Sequence, residues 1–204
     1  MDVITASIQA FDEAVLHWAQ GAIGANAVLD LFWLVVGQWL VYVVPFALVG
    51  LWLWYRYGAD KRDSVASRLW LAQLAVAGIL GWQVLSRLVK LFYFRKRPSV
   101  AGESVKELFF HRPDESFPSD HAALFFGFAT YAYLSGRRTL GHWLLATALG
   151  VSAARIVTGT HWTTDILGGM VVGVASACIV WWLREPLKVY VLTPIERLLR
   201  QIGL

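Results

Sequence analysis

The chain is short of cysteine, methionine and charge. It has one Cys and two Met in 204 residues, and Asp, Glu, Lys and Arg together make up 16%, against roughly a quarter in soluble domains. Each scarcity excludes something. Cys178 alone cannot close an internal disulfide, so a cystine scaffold is excluded and the redox compartment stays open. The composition also excludes a disordered chain, and the lack of repeats or low-complexity runs excludes a collagen-like one. No His, Cys, Asp and Glu set has metal-ligand spacing, so no metal or other cofactor is expected. The first thirty residues carry four acids but no Lys or Arg, which removes the basic region that a signal peptide needs.

In place of charge the chain has apolar length. Hydrophobic residues make up 57% of it, with 11 Trp, and the mean hydropathy is +0.54. A bilayer core of about 30 Å is crossed by about 20 apolar residues in a helix. Residues 31–55 meet that length, with Gln38 as their only strongly polar residue and Pro45 as a kink. Further spans are expected at 69–89, 121–134, 140–157 and 165–183, those at 121–134 and 140–157 short enough to suit helices that begin inside a protein-lined pocket. The expected fold is all-α, an integral membrane bundle of five to six transmembrane helices forming one domain over 1–204, with its bundle in 28–183. The sixth is residues 1–24, helical in pattern but with Asp12, Glu13 and His17 in the middle. Carboxylates are costly in lipid, which favours an interfacial amphipathic helix over a polar span.

Loop cations orient the bundle. Arg56, Lys61, Arg62 and Arg68, then Arg137 and Arg138, then Arg184, Lys188, Arg197 and Arg200 fall on one side if five helices alternate, and that side is expected to be cytoplasmic. The net charge of +4 is then an excess set by topology, and no nucleic-acid partner is expected. The tail, 184–204, contains Thr193-Pro194-Ile195-Glu196, a capping-box pattern. It reads as a short amphipathic helix on the anionic inner leaflet or as a solvated end.

Three polar islands are expected on the opposite side. The first, 87–98, ends in KLFYFRKRP and holds five cations. Lys90 and Arg97 are seven residues apart, two helical turns, which places them on one helix face; so many cations away from the cytoplasm call for anionic compensation. The second is SFPSDHAA, 116–123. Pro118 and Ser119 mark a helix start with Ser119 as cap, free backbone N–H groups make that start an anion site, and His121 falls in the first turn. The third is ARIVTGTHWTTD, 154–165. His161 and Asp165 are four apart, so the carboxylate reaches the imidazole and can hold one tautomer, or the two form a structural pair. Arg155 precedes them. Cations, a capped helix start and two histidines at the ends of consecutive spans form the set that phosphoryl transfer needs: charge neutralisation, a nucleophile and an acid.

These residues resemble the type 2 phosphatidic acid phosphatase superfamily, whose signature is K-x(6)-R-P, P-S-G-H and S-R-x(5)-H-x(3)-D. Lys90, Arg97 and Pro98 match the first part in full. The second reads Pro118-Ser119-Asp120-His121, with Asp for the usual Gly, and the third reads Ala154-Arg155, His161 and Asp165, with Ala for Ser. Within the family, PSDH on a short chain resembles the bacitracin-resistance type of undecaprenyl pyrophosphate phosphatase. The resemblance implies a metal-independent lipid phosphatase of the bacterial cytoplasmic membrane, its site facing the periplasm or exterior. It implies that His161 is the nucleophile, oriented by Asp165, and that His121 is the acid for the leaving group. Lys90, Arg97 and Arg155, with Ser119 and backbone N–H groups near Asp120, are then the phosphate ligands. The expected partners are a polyprenyl or other lipid phosphate and the bilayer; oligomeric state is left open. Glycerolipid phosphates are the alternative substrates, and a non-catalytic lipid-phosphate binder or transporter is the alternative class. Asp120 beside an anion site is expected to point away or to pair with Arg95 or Lys96. The segment 99–117, with Phe109 and Phe110, reads as a lid or a surface loop, and Gly169-x-x-x-Gly173 as close packing within the bundle or a dimer seam.

Overall fold

A backbone without water must satisfy its own hydrogen bonds, so long apolar runs become helices. The computed structural model describes residues 3–58, 64–101, 105, 106, 108 and 115–201. Phe109, Phe110 and most of the expected lid lie outside them. The helices are α1 (Val3–Gln20), α2 (Ala27–Tyr57), α3 (Val65–Lys90), α4 (Asp120–Leu134), α5 (Arg138–Val157), α6 (Thr163–Trp182) and α7 (184–201). Among the described residues there is no strand, only an isolated antiparallel bridge between Lys96 and Glu115.

Four helices, α2, α3, α5 and α6, are long and apolar enough to cross a membrane. The expected third span, α4, has 15 residues, ten of them buried. It packs against α3, α5 and α6 and supplies Phe125, Phe126, Phe128 and Tyr131 to the core. The five expected spans are therefore a short central helix with longer ones around it. Small residues permit this approach. A Cβ on Gly169 would lie 2.4 Å from the Ser119 carbonyl oxygen, and one on Gly173 would lie 2.5 Å from that of Ala123. The Gly pair is thus the α4–α6 seam within the bundle. Because backbone cannot yield as a flexible side chain can, Gly173→Ala should cost about 1–3 kcal/mol, readable as a lower melting temperature in detergent.

Two local expectations need correction. The helix ends at Lys90 and does not continue through 91–97, so Lys90 and Arg97 do not share a helix face. Residues 95 and 96 instead lie beside 115 and 116, with Ser116 N bonded to Arg95 O at 2.9 Å. In the tail, Thr193 does not start a helix: α7 runs on from residue 184 through a π-helical turn at Lys188–Leu192. Glu196 therefore caps nothing and turns inward to Arg68. Arg68, counted above among the loop cations, is itself buried.

Candidate active site

Helix ends gather the polar residues. The last turns of α3 and α5 meet the first turns of α4 and α6, and Ser119 N donates to Asp165 O across the α4–α6 junction at 3.0 Å. Ser119 occupies the N-cap position of α4, but its hydroxyl makes no capping bond. Its Oγ and the Asp120 Oδ1 are both buried without a hydrogen-bond partner among the described residues.

His161 sits in the loop between α5 and α6, 2% exposed. Gly159, at φ 67°, turns the chain there, in a backbone region that side chains other than glycine rarely adopt. His161 Nδ1 lies 3.5 Å from Asp165 Oδ2, and that oxygen also accepts Trp162 N at 2.8 Å. On the other edge of the ring, Nε2 lies 3.3 Å from Arg97 Nη1, which donates to Thr160 O at 2.8 Å. Trp162 Nε1 bonds Lys96 O at 2.9 Å, so the non-helical 91–97 segment is pinned against the histidine loop. The structure thereby brings Arg97 to His161 without the helical register first inferred for it.

Arg155, in the last turn of α5, reaches α2 instead. Its Nη1 donates to Gly37 O at 3.1 Å, with Gln38 Oε1 at 3.5 Å, inside the π-helical turn Val35–Trp39. Such turns expose carbonyls that a regular helix would use. Ala154, which stands where the signature has Ser, is buried where a Cβ on Gly37 would approach it to 3.3 Å. Asp120 does pair with a cation, but with Lys90 Nζ at 2.8 Å, not Arg95 or Lys96. Part of the compensation expected from an external anion thus comes from the protein.

Asp120, His121 and Arg155 form the polar end of a cavity of about 930 Å³. Its remaining wall is chiefly apolar: Val41, Tyr42, Val44, Pro45, Phe46 and Leu48 of α2, Ile79 and Trp82 of α3, and Leu124 and Phe128 of α4, with Gln38 near the polar end. Such a shape accepts a molecule with an anionic head and a long apolar tail. Among the described residues, no group of three or more His, Cys, Asp and Glu is placed to hold a metal ion.

Three participants escaped the sequence reading. Gln38 was counted only as the polar residue of its span. Arg95 was offered only as a partner for Asp120, but it bonds Asp165 at 3.0 Å and Asp12 at 2.6 Å. Asp12, assigned to a membrane-surface helix, is fully buried against the first turn of α6. The one available signal was a carboxylate in the middle of an apolar helical pattern, which demands a partner somewhere.

The PAP2 superfamily model matches residues 69–188. The bacitracin transport permease protein BcrC of Bacillus licheniformis is 30% identical over 154 residues, 75% of this chain and 70% of that one. The putative undecaprenyl-diphosphatase YbjG of Escherichia coli K12 is 33% identical over 70% of this chain and 68% of its own. Undecaprenyl-diphosphatase BcrC of Bacillus subtilis 168 is 29% identical, covering 81% and 80% respectively. Among solved structures, Aquifex aeolicus LpxE aligns with a TM-score of 0.63 at 24% identity over 82% of this chain and 92% of that one. A transmembrane PAP2-type phosphatidylglycerolphosphate phosphatase of Bacillus subtilis aligns at 0.59 and 21%, covering 90% and 89%. The fold of these two is shared by a bundle whose matched stretch begins in α3 and ends in α7, and this multi-span membrane chain belongs to the PAP2 superfamily.

Proposed function

We propose that the protein removes the terminal phosphate of undecaprenyl diphosphate through a phosphohistidine on His161. The observation that carries this reading is the cavity, whose apolar walls between α2, α3 and α4 lead to Asp120, His121 and Arg155. A polyprenyl tail suits the walls, and a diphosphate suits the head. The names of the Escherichia coli and Bacillus subtilis relatives support the substrate.

The chemistry follows from which nitrogen is available. Nδ1 faces Asp165, so Nε2 attacks the terminal phosphorus. The bond from that phosphorus to the bridging oxygen breaks, and His121 protonates the oxygen of the departing lipid monophosphate. Water then attacks the phosphohistidine, His121 takes its proton, and inorganic phosphate leaves with His161 restored. Arg97, beside Nε2, and Arg155, at the cavity head, neutralise the phosphate oxygens. The buried Ser119 hydroxyl and the first N–H groups of α4 add donors. Lys90 serves the same phosphate while sharing its charge with Asp120. The excess of loop cations on the opposite side supports an orientation with this end of the bundle at the outer face of a bacterial cytoplasmic membrane.

The test is phosphate release by purified protein in detergent from undecaprenyl diphosphate, phosphatidic acid, diacylglycerol pyrophosphate and phosphatidylglycerophosphate, with and without a chelator. Undecaprenyl diphosphate should turn over fastest, at a rate the chelator leaves unchanged. Faster release from a glycerolipid would replace the substrate, and strict dependence on a divalent metal would replace the mechanism. No release from any of the four would leave a lipid-phosphate binder or transporter.

A further inference from the structure

α1 is mostly exposed, yet it buries Asp12 completely. The carboxylate is matched on both oxygens. Oδ1 accepts Thr164 N at 2.9 Å. Oδ2 accepts Thr164 Oγ1 at 2.5 Å and Arg95 Nη2 at 2.6 Å. Arg95 turns its other nitrogen, Nη1, to Thr164 Oγ1 at 2.6 Å and Asp165 Oδ1 at 3.0 Å, with its guanidinium 5.1 Å over the Trp162 ring. Further along the same helix, Gln20 donates to Val157 O at 2.6 Å and accepts Lys106 N at 2.7 Å. α1 therefore grips the histidine loop at both ends, on the last turn of α5 and on the first turn of α6.

We propose that Asp12 is a positioning residue for the nucleophile: by sharing Arg95 with Asp165, it keeps Asp165 turned to His161 and leaves the Asp12–Arg95–Asp165 group behind Nδ1 with a net negative charge that raises the basicity of the imidazole against the opposing charge of Arg97. The inference rests on the reading of His161 as nucleophile. Arg95 carries one positive charge between two carboxylates. Facing Asp165 alone, its planar fork would take both oxygens, drawing Oδ2 from His161 and cancelling the charge that favours the imidazolium. With Asp12 present, Oδ1 holds Arg95 while Oδ2 keeps Trp162 N and His161 Nδ1. An uncompensated carboxylate near an imidazole favours its protonated form.

The groups facing the ring come from several elements. Asp165 comes from α6 and Arg97 from the 91–97 segment, with Arg95 and Asp12 behind Asp165. Arg155, His121 and Asp120 border the cavity, with Lys90 on Asp120. On α1 itself, Glu13 is bonded to Gln9 and His17 is exposed. Changing Asp12 and Arg95 alone leaves all the others as they are.

The experiment is the pH dependence of kcat/KM for undecaprenyl diphosphate in Asp12→Asn, Arg95→Gln, the double variant and the wild type, with folding checked by size-exclusion chromatography. Asp12→Asn keeps the shape and the Oδ1 acceptor but removes one negative charge. The acid limb should move to lower pH by about half a unit or more, and kcat should fall several-fold with the basicity. Arg95→Gln makes the cluster more negative and should move the limb to higher pH. The double variant restores the net charge and should return the limb to the wild-type position. Ionisation of the substrate is common to all four proteins, so differences among them belong to the enzyme. Either single variant decides the matter alone, so misfolding of one leaves the other. A wild-type limb in a folded single variant, however slow, would reduce α1 to a structural brace. His161→Ala separates the two levels: activity retained there overturns the nucleophile itself, whereas an inactive His161→Ala beside unmoved limbs overturns only the role of Asp12.

Discussion

Replacing His161 by alanine should lower phosphate release by about 10⁴-fold or more while the protein stays folded. The loss is large because no neighbour can substitute. Nδ1 faces Asp165 and Nε2 faces Arg97, so the imidazole spans the gap between a carboxylate and the cation proposed to hold the phosphate. An alanine leaves Arg97 with Thr160 O but gives the phosphorus nothing to bond. Folding should survive because Asp165 does not depend on the ring: Trp162 N and Arg95 already occupy its two oxygens. A single turnover of substrate labelled in the terminal phosphate, quenched in base, should show labelled protein for the wild type and none for the variant. Comparable labelling or steady-state release from the variant would end the nucleophile assignment.

The residues of the site were legible because its chemistry has a linear signature, whereas their partners were not. Lys90, Ser119, His121, Arg155 and Asp165 fall at helix ends and His161 in the short loop between two of them, as the apolar runs between them required. Four-residue spacing correctly joined His161 to Asp165, since that contact is local. The same reasoning failed for Lys90 and Arg97, because tertiary contacts take over after Lys90: Arg95 and Lys96 bond the stretch near Ser116 and Trp162 in place of a helical turn. Arg95 shows the limit most clearly. Its actual partners, Asp12 and Asp165, lie 83 and 70 positions away. Local pattern cannot rank such partners, because burial decides which charges must find one another. The tail failed for the same reason: Glu196 fits a capping box by sequence, but a buried Arg68 outbids the backbone for it.

That second buried pair carries the other large expectation. Arg68 and Glu196 join the first turns of α3 to α7 at the end of the bundle away from His161. Arg68 Nε donates to Glu196 Oε1 at 3.0 Å, Nη2 meets the same oxygen, and Nη1 reaches Tyr55 O at 3.3 Å. Both side chains are nearly inaccessible, 1% and 7% exposed. Removing one partner of such a pair strands the other charge, so Glu196→Ala should destabilise the fold by about 3–5 kcal/mol. The double variant Arg68→Met/Glu196→Leu, which strands neither, should cost less. Unfolding in mixed micelles would read both, and a loss below about 1 kcal/mol from the single change would class the pair with exposed ones. The pH dependence has a definite sign. Burial pushes the Glu196 carboxyl up, but hydrogen bonds from Arg68 and Arg200 outweigh it and hold the group below its ordinary value of 4.5. Its stabilisation is therefore fully present above pH 4.5 and is lost as pH falls through the folded value. The wild-type advantage over Glu196→Gln should accordingly shrink only in that acid range. Since Arg68 and Glu196 touch no residue of the histidine cluster, turnover per folded molecule should be unchanged, so a drop in total activity here, unlike that of His161→Ala, should track the folded fraction.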